Sequence, residues 1–444
     1  MITSVNYADL LTQYLFEGVQ FVEKFVIRGG NKLNGKINIS GAKNAALAII
    51  PAAIFAGEPC RIENVPDISD VKMISKILRH IGAEVTSPED GVLVIDPTNV
   101  KSDITIRDDM TKKLRASYYL LGVLLGQYGS ACVALPGGCY FGVRPIDQHI
   151  KAFEALGAKV NTDNAVVKVE SDELYGSSIY LDVVSVGATI NAMLAAVKAK
   201  GLTVIENAAR EPHIVDLANF LNSMGADVRG AGTEVIKIRG VSQMHGCTYS
   251  IIPDQIEAGT YMVAAAAAGG DVVINNVIPK HLESITNKIE DCGITVIEGD
   301  ESVRIISDGN RPKACRVKTS PHPGFPTDMQ PQIATLLCIC NGTSTVVEDV
   351  WDNRFKYIDQ LRRMGANIIV NGDTAVITGV DKLHSAPVEA DDLRAGAAMV
   401  IAGLIADGET TIENIRLIDR GYEKIIEKLT AVGADIARVN FDEE

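Results

Sequence analysis

The sequence predicts an α/β protein: a two-domain inside-out α/β barrel of six βαβαββ repeats, three per domain, with buried central helices. Two observations indicate this fold. First, an apolar helix end, a glycine and a strand start recur at spacings of 75, 68, 68, 72 and 68 residues. Second, the first helix of each repeat is apolar on nearly every face, which is typical of a buried helix. The recurring glycines, which allow a left-handed helix end, are Gly82, Gly157, Gly225, Gly293, Gly365 and Gly433.

The third repeat illustrates the predicted order of strand, helix, strand, helix, strand and strand. Periodicity places these elements at residues 178–183, 187–200, 203–207, 214–224, 226–229 and 234–239. A second recurring phrase, seen in KAKGLTVIENA and IADGETTIENI, joins the end of the first helix to a β-branched strand.

The two ends of the repeat region predict how the chain closes. The sixth repeat runs out of sequence near Val439 without its last strand, while residues 24–29 (KFVIRG) form an unassigned strand before the first repeat opens near Lys36. We expect that strand to complete the sixth repeat. Because domains commonly hold ~100–200 residues, we divide the repeats three and three. The predicted domains are residues 43–252, carrying a cysteine loop, and residues 24–42 plus 253–444, with 1–23 as an N-terminal extension.

The composition argues against several classes of protein function. The 444 residues carry a formal net charge of −14, which argues against nucleic-acid binding because phosphate neutralisation needs clustered Lys and Arg. The longest proline-free apolar stretch, residues 395–406, has twelve residues and falls short of the ~20 that span a bilayer. Eight cysteines without a CxxC pair or His/Cys metal spacing predict no zinc site and no disulfide framework, as in a cytoplasmic protein.

Charged residues mark the starts of several predicted buried helices: Lys43, Arg115, Asp328 and Arg394. Repeat symmetry would bring helix starts together, and helix N-termini bind anions through free N–H groups and a partial positive charge. The alternative is that these residues only cap helices or form surface ion pairs.

The second repeat is longer than the others because it contains LPGGCYFGVRP, residues 135–145. Its three glycines let the backbone approach a ligand. Cys139 lies close to Arg144, and a cationic neighbour lowers a thiol pKa, so Cys139 is a candidate reactive cysteine. Arg354 and Arg420 are predicted to start the outer helices of repeats five and six, although each could merely pair with nearby acids. We interpret His149 as structural.

Eight motifs carry a resemblance to a known family. In order they are SGAKNA, LPGGCYFGVRP, VSVGAT, IENAAREP, HPGFPTDMQ, NRF, DLRA and IDRGYE. Over residues 24–440 the chain resembles the UDP-N-acetylglucosamine 1-carboxyvinyltransferases, also called UDP-N-acetylglucosamine enolpyruvyl transferases. The resemblance implies the same two-domain barrel. It also implies transfer of the enolpyruvyl group of phosphoenolpyruvate to the C3 hydroxyl of UDP-N-acetylglucosamine with release of phosphate, the first committed step of peptidoglycan synthesis.

The resemblance also implies residue roles. Cys139 would be the general acid that protonates the methylene carbon of phosphoenolpyruvate, and fosfomycin would alkylate it. Asp328 would accept the proton of the sugar hydroxyl, with Lys43 and Arg420 completing the catalytic set. The implied phosphoenolpyruvate ligands are Lys43, Asn44, Arg115, Arg144, Arg394 and Arg420. The implied sugar-nucleotide ligands are Asn44, Arg115, Arg144, Pro145, Ile146, Asp147, Gln148, Val183, Val184, Ser185, Val186, Asp328, Val350 and Arg354. No metal, cofactor, nucleic acid or membrane partner is implied.

Three positions depart from the commonest family pattern. Val183 stands where Lys is frequent, His213 where an acid is frequent and Gln255 where Arg is usual. The first concerns nucleotide contacts and the third concerns closure between domains, and none removes an expected catalytic group.

Two other functions remain open on the sequence. A 5-enolpyruvylshikimate-3-phosphate synthase would share the repeats and the chemistry, but the cysteine loop and the uridine-side motifs argue against it. A catalytically silent paralogue that binds UDP-sugars would not need Lys43, Cys139, Asp328 and Arg420 together.

Overall fold

The computed structural model describes residues 21–101, 106, 114–134, 146–162 and 166–442, which form a mixed α/β fold. Within these ranges the α-helices are α1 (Lys43–Ala52), α2 (Ser69–His80), α3 (Tyr119–Tyr128), α4 (Asp147–Ala155), α5 (Val186–Ala196), α6 (Pro212–Ser223), α7 (Gln255–Ala268), α8 (Glu283–Asp291), α9 (Gln330–Leu337), α10 (Ile358–Arg363), α11 (Leu393–Ile405) and α12 (Ile425–Thr430). Short 3-10 turns occupy Ala53–Ala56, Arg115–Tyr118, Pro279–His281, Thr327–Met329 and Ile415–Leu417. Of the helices described, none has the length and apolarity to cross a membrane.

The strands are short. They are β1 (Phe21–Arg28), β2 (Leu33–Asn38), β3 (Cys60–Glu63), β4 (Glu84–Thr86), β5 (Leu93–Asp96), β6 (Ser130–Ala134), β7 (Lys159–Asn161), β8 (Val166–Glu170), β9 (Ser178–Tyr180), β10 (Leu202–Glu206), β11 (Asp227–Arg229), β12 (Val235–Arg239), β13 (Thr248–Ser250), β14 (Gly270–Asn275), β15 (Thr295–Glu298), β16 (Ser302–Ser307), β17 (Arg316–Lys318), β18 (Thr343–Val347), β19 (Asn367–Asn371), β20 (Thr374–Thr378), β21 (Leu383–His384), β22 (Pro387–Glu389), β23 (Ala406–Asp407), β24 (Glu409–Glu413) and β25 (Asp435–Asp442). The predicted elements of the third repeat are confirmed, each within four residues of its expected bounds.

Five four-stranded sheets share one strand order. In β9-β10-β12-β11 the first pair is parallel and the other two are antiparallel. The same order holds in β13-β3-β5-β4, β2-β14-β16-β15, β17-β18-β20-β19 and β22-β24-β1-β25. The second predicted repeat supplies the three-stranded sheet β6-β8-β7, in which Ile106 forms a parallel bridge with Val133. A parallel pair needs a crossover connection, and in the pairs β9-β10, β17-β18 and β22-β24 the buried helix between the two strands supplies it.

The recurring asparagine of the IEN and INN phrases links neighbouring strands. Asn64, Asn207 and Asn276 adopt positive φ angles of 53°, 56° and 56°, a conformation that Asn tolerates better than most residues. Their side-chain amides donate to the carbonyl oxygens of Ile251, Leu181 and Ile39 at 2.8, 2.8 and 2.6 Å. Each acceptor directly follows the first strand of the sheet, so the same contact fixes the ends of two parallel strands in three sheets.

The N-terminal strand completes the last sheet, as predicted. β1 lies between β24 and β25 and is antiparallel to both, with Phe25 opposite Ile412 on one side and Arg438 on the other. The strand starts at Phe21, three residues earlier than expected. Both ends of the described chain therefore meet in one sheet.

The first repeat opens with β2, as predicted, but this strand does not pair with the other strands of that repeat. β2 pairs in parallel with β14, whereas β13 pairs in parallel with β3. The first strands of repeats one and four are thus exchanged, because the chain crosses between the two halves twice. The crossings contact each other: Ala42 N–H donates to Ile252 at 2.7 Å and Asp254 N–H donates to Ser40 at 2.9 Å. Gly41 is required there, since a Cβ would lie 1.7 Å from the Asn64 carbonyl oxygen.

The six helices predicted to be central are buried. They are α1, α3, α5, α7, α9 and α11, and in α5 every residue from Ala188 to Ala196 is buried. Helices α7, α9 and α11 contact one another, and α3 contacts α1 and α5. Buried hydrophobic side chains form two clusters: a first core within residues 42–251, and a second core within residues 25–39 and 256–436.

Because β1 completes the last sheet, truncating its buried side chain Phe25 should strongly lower the stability of the protein. Phe25 is fully buried, so Phe25→Ala should lower the free energy of unfolding by about 3–5 kcal/mol in urea denaturation, through lost burial and a residual cavity. Ile369→Ala on β19, where the side chain is 58% exposed, serves as the control and should change it by less than about 1 kcal/mol. Equal effects of the two variants would contradict the closure.

Asp216, which contacts the second crossing at Ile252, should make the stability of the protein depend on pH. Buried Asp216 on α6 accepts hydrogen bonds from the Tyr249 hydroxyl at 2.6 Å and the Ile252 amide at 3.3 Å, and burial raises its pKa to about 6. Because the unfolded value is near 3.9, this group stabilises the fold at low pH, and that contribution is lost as pH rises through about 6. Between pH 4 and pH 7 the free energy of unfolding should fall by about 2–3 kcal/mol more in the wild type than in Asp216→Asn. Parallel pH curves would contradict this assignment.

Candidate active site

Charged side chains stand at the starts of buried helices, as predicted. Lys43 is the first residue of α1, Arg394 is the second of α11, and Asp328 lies in the turn that leads into α9. Arg115 begins the turn before α3, where the structure describes its backbone alone.

The expectation that Arg354 and Arg420 start outer helices is wrong. Helices α10 and α12 begin only at residues 358 and 425, and the two arginines lie in the turns before them. For α12 the reason is Lys424, whose φ of 49° is left-handed, so the helix cannot extend back to Arg420.

Two aspartates hold the helix starts that carry Lys43 and Arg394. Asp254 accepts the backbone N–H groups of Ile256 and Glu257 at the start of α7, at 2.7 and 3.0 Å. Its other oxygen accepts the N–H of Lys43 at 2.9 Å, so one carboxylate caps a helix from each core. Asp392 caps α11 by accepting the N–H of Arg394 at 2.7 Å.

Asp328 is bound by two arginines. Its Oδ1 accepts Nη2 of Arg354 at 3.1 Å, and its Oδ2 accepts Nη2 and Nε of Arg394 at 3.1 and 3.3 Å. Loss of solvent would raise the pKa of Asp328, but the charges of Arg394, Arg354 and Lys43 outweigh it and hold that pKa well below its ordinary value. Because 31% of the side chain remains open to solvent, the ionised carboxylate is accessible to a ligand.

Asp70 bridges two further cations. Its Oδ2 lies 3.1 Å from the Lys43 ammonium, and its two oxygens accept Nε and Nη2 of Arg420 at 2.9 and 3.3 Å. Burial lowers the pKa of Lys43, and Arg394 and Arg420 act in the same direction, while Asp70 opposes them. Asp70 belongs to the first core and Arg420 to the second, so this contact spans the cleft between the cores.

These two groups form one charge cluster, which consists of Lys43, Asp70, Asp328, Arg354, Arg394 and Arg420. Tyr422 contacts this cluster through its hydroxyl, which accepts Nη1 of Arg394 at 3.3 Å and lies 2.9 Å from the Thr260 hydroxyl. Four cations face two carboxylates, so the cluster carries excess positive charge although the chain as a whole is acidic. Such a cluster suits an anion with several acceptor oxygens.

The structure also brings together two of the segments expected on the nucleotide side, the start of α4 and the turn 183–186. Gln148 on α4 accepts the N–H of Asp182 at 2.8 Å and donates to the carboxylates of Asp147 and Asp182 at 2.8 and 3.1 Å. This fixes the start of α4, which follows Ile146, against the turn 183–186. In that turn Val183 and Val184 are 59% and 38% exposed. Ser185 caps α5 through the N–H of Ala188, and Val186 is the first residue of α5.

Buried Glu348 organises the segment around Val350. It accepts the hydroxyls of Thr319 and Thr327, at 2.8 Å and 3.0–3.1 Å, and the N–H groups of Val350 and Trp351 at 3.0 and 3.1 Å. Thr327 precedes Asp328, so this one side chain ties the turn that holds Asp328 to the loop before Arg354. The Val350 N–H is therefore bound within the protein.

Three of the expected site residues, Cys139, Arg144 and Pro145, lie outside the described residues. Asn44 lines a shallow groove between the cores, together with His213 and Gln255, two of the departures from the family pattern. Burial lowers the pKa of His213. His149 has its Nδ1 2.8 Å from the Asn191 side-chain amide, a contact that agrees with the structural role expected for it. Among the described residues no group of three or more His, Cys, Asp or Glu could hold a metal ion.

Sequence analysis missed Asp70, Asp254, Glu348 and Tyr422. Asp254 carried a signal, because an aspartate two residues before an apolar helical run is a standard cap. Asp70 and Glu348 follow ordinary turn and strand patterns, and only the fold brings them to Lys43 and Val350. Tyr422 lies within the IDRGYE motif that drew attention to Arg420.

Comparison with known proteins places this site in a family. A sequence profile of EPSP synthase (3-phosphoshikimate 1-carboxyvinyltransferase) matches residues 27–429. Among solved structures, the enolpyruvyl transferase NikO from Streptomyces tendae aligns with a TM-score of 0.85 at 25% identity, covering 95% of this chain and 100% of that one. EPSP synthase from Acinetobacter baumannii aligns with a TM-score of 0.73 at 20% identity, covering 94% and 100%, and shows the fold alone.

Curated relatives are more similar. UDP-N-acetylglucosamine 1-carboxyvinyltransferase from Clostridium botulinum is 57% identical over 94% of this chain and 100% of its own length. UDP-N-acetylglucosamine 1-carboxyvinyltransferase 2 from Clostridium acetobutylicum is 56% identical over 94% and 99%. UDP-N-acetylglucosamine 1-carboxyvinyltransferase 3 from Caldanaerobacter subterraneus is 53% identical over 94% and 100%. This similarity over nearly full length shows that the chain belongs to the UDP-N-acetylglucosamine 1-carboxyvinyltransferase family.

Proposed function

We propose that this protein transfers the enolpyruvyl group of phosphoenolpyruvate to the C3 hydroxyl of UDP-N-acetylglucosamine and releases phosphate, the first committed step of peptidoglycan synthesis. The charge cluster carries the proposal, because its surplus cations suit a small substrate with a phosphate and a carboxylate. Relatives that are 53–57% identical over 94% of the chain bear the name of this activity. Both substrates are anionic small molecules, which also agrees with an acidic protein that has basic groups only locally.

Phosphoenolpyruvate would bind to Lys43 and Arg420, with Arg394 supporting it from the Asp328 side. Asn44, one residue after Lys43 in the first turn of α1, would add a side-chain amide. We propose Arg115 and Arg144 as further cations of this site, on the family resemblance alone. Guanidinium groups suit this ligand because they bind phosphate and carboxylate through two parallel hydrogen bonds.

UDP-N-acetylglucosamine would bind along the segment 144–148, the turn 183–186 and the Val350 loop. Gln148 holds the first two against each other through Asp182, Ser185 caps the helix that follows the turn, and Glu348 holds the third. Recognition would therefore rest mainly on backbone groups of the turn and on the Val350 carbonyl, with Asp328 and Arg354 at the sugar.

Cys139 would protonate the methylene carbon of phosphoenolpyruvate while the C3 oxygen of the sugar attacks the central carbon and gives its proton to Asp328. Return of a methyl proton to the Cys139 thiolate and cleavage of the bond between the central carbon and the phosphate oxygen would then yield the enol ether, and the phosphate would leave with the proton that Asp328 had accepted. Asp328 is a weak base in this arrangement, because three cations lower its pKa. A substrate anion that binds Arg394 would weaken that effect, raise the pKa and improve Asp328 as a base.

The domain division and the six-repeat inside-out barrel belong to the same proposal. The two cores divide close to residues 43 and 252, and five sheets share one strand order around buried helices. In this arrangement the helix starts of both domains face one cleft, where the charge cluster lies. The loop 135–145 would close over that cleft and exclude water, which would otherwise compete as the nucleophile.

The proposal predicts that phosphate release from phosphoenolpyruvate requires UDP-N-acetylglucosamine. Cys139→Ser should reduce the rate by at least ~100-fold, because a hydroxyl with a far higher pKa replaces the acid. Fosfomycin should label the wild type once, as seen by mass spectrometry, and should not label the variant. Absence of sugar-dependent release from folded wild type that still binds UDP-N-acetylglucosamine would instead favour a silent paralogue.

The role of Glu348 predicts a selective effect on the sugar nucleotide. Glu348→Ala leaves two amides and two hydroxyls without their acceptor, so the KM for UDP-N-acetylglucosamine should rise about tenfold or more, with a smaller change for phosphoenolpyruvate. Steady-state kinetics with each substrate varied in turn measures this. Glu298→Ala on the exposed face of β15 is the control. Equal changes in both KM values would contradict the assignment.

A further inference from the structure

Asp70 is a buried carboxylate in direct contact with the cations assigned to phosphoenolpyruvate. It is 3% exposed and touches Lys43 and Arg420, two groups that would bind the substrate's negative charges. A carboxylate at this point repels an anionic substrate and loses its own hydration. The position of Asp70 therefore indicates that this carboxylate has a role in the site that offsets these two costs.

We propose that Asp70 is a positioning residue for phosphoenolpyruvate: it holds the Lys43 ammonium of the first core and the Arg420 guanidinium of the second core in place, and it provides a negative charge beside the Lys43 ammonium. The inference rests on the proposed function. No sequence motif points to Asp70, which lies in the first turn of α2 after VPDIS.

The contacts leave both cations able to bind a ligand. Asp70 receives Nε and Nη2 of Arg420, which use two of the five N–H donors of a guanidinium, and a single contact from the Lys43 ammonium. The Arg420 side chain is 33% exposed, so its remaining donors can reach the cleft. Asp70 thus orients both groups without covering them.

A second contact at the same place joins α2 to the segment that carries Arg420. The backbone N–H of Ser69 donates to the carbonyl oxygen of Asp419 at 3.1 Å. Two consecutive residues of the first core therefore bind two consecutive residues of the second, one through backbone and one through side chains. Because Lys43 is on the first core and Arg420 on the second, this junction helps to fix the separation of the two cations.

The charges around Lys43 explain the second part of the proposal. Arg394 from α11 and Arg420 from the turn before α12 repel its positive form, and burial also disfavours it. Asp70 on α2 and Asp328 before α9 oppose them, and among the described residues it is Asp70 that forms an ion pair with the ammonium, at 3.1 Å. Removing the charge of Asp70 should therefore lower the pKa of Lys43 further, and the site would lose a cation at a lower pH.

Asp70→Asn tests this inference because it keeps the shape and removes the charge. The KM for phosphoenolpyruvate should rise about tenfold to a hundredfold, the range expected for a lost charged hydrogen bond, while the KM for UDP-N-acetylglucosamine changes less than about threefold. The alkaline limb of kcat/KM for phosphoenolpyruvate should move to lower pH. Asp70→Glu, which retains the charge, should keep the alkaline limb of the wild type.

Asp271→Asn is the matched control. Asp271 on β14 makes the same two-oxygen contact with Nε and Nη2 of Arg304, but at an exposed site away from the cluster, so its kinetics should equal those of the wild type. Thermal unfolding of all variants identifies loss of fold, and if Asp70→Asn does not fold, the pH profile of Asp70→Glu against the wild type decides.

Unchanged or tighter phosphoenolpyruvate binding in folded Asp70→Asn would overturn the inference, as would an alkaline limb that stays in place there or moves in Asp70→Glu. Either result requires an active wild type. A wild type without sugar-dependent phosphate release would overturn the proposed function instead, so the two failures are distinguishable.

Discussion

The carboxylate of Asp254 accepts backbone N–H groups from the starts of two buried helices, and the geometry of the site depends on this shared cap. The residue before α1, Ala42, offers no capping side chain, so Asp254 from the other core supplies it. The same carboxylate caps α7. It lies where the two crossings of the chain bind each other, and it therefore sets the position of Lys43 relative to the second core.

Charge compensation governs the rest of the cleft. Removing several cations from water is costly unless carboxylates share them, and each of Asp70 and Asp328 is shared by two cations. The remaining positive charge is available to a ligand and is already oriented before the ligand arrives. Such preorganised charge stabilises a reacting anion without further rearrangement. The acidity of the surface and the basicity of the cleft are thus two parts of one charge distribution.

The exchange of first strands explains why the site draws on both cores. Because β2 pairs with β14 and β13 pairs with β3, the chain passes between the cores twice within a few residues of Lys43 and Asp254. Gly41 permits the close approach of these two passages. Lys43 takes part in two contacts between the cores. At the crossing its backbone N–H is bound by Asp254, and its ammonium is bound by Asp70, which also binds Arg420.

Local pattern was sufficient for much of this structure. Apolar helices, recurring glycines and the unpaired strand at residues 24–29 determined which segments are buried and how the last sheet closes, because burial and strand pairing follow from side-chain periodicity. The charged helix starts were also visible in the sequence. The partners of those charges were not: Asp70, Asp254 and Glu348 lie far along the chain from at least some of the groups they bind. Only the tertiary structure decided which carboxylate meets which cation, and which strand pairs across the crossings, because such contacts depend on distance in space.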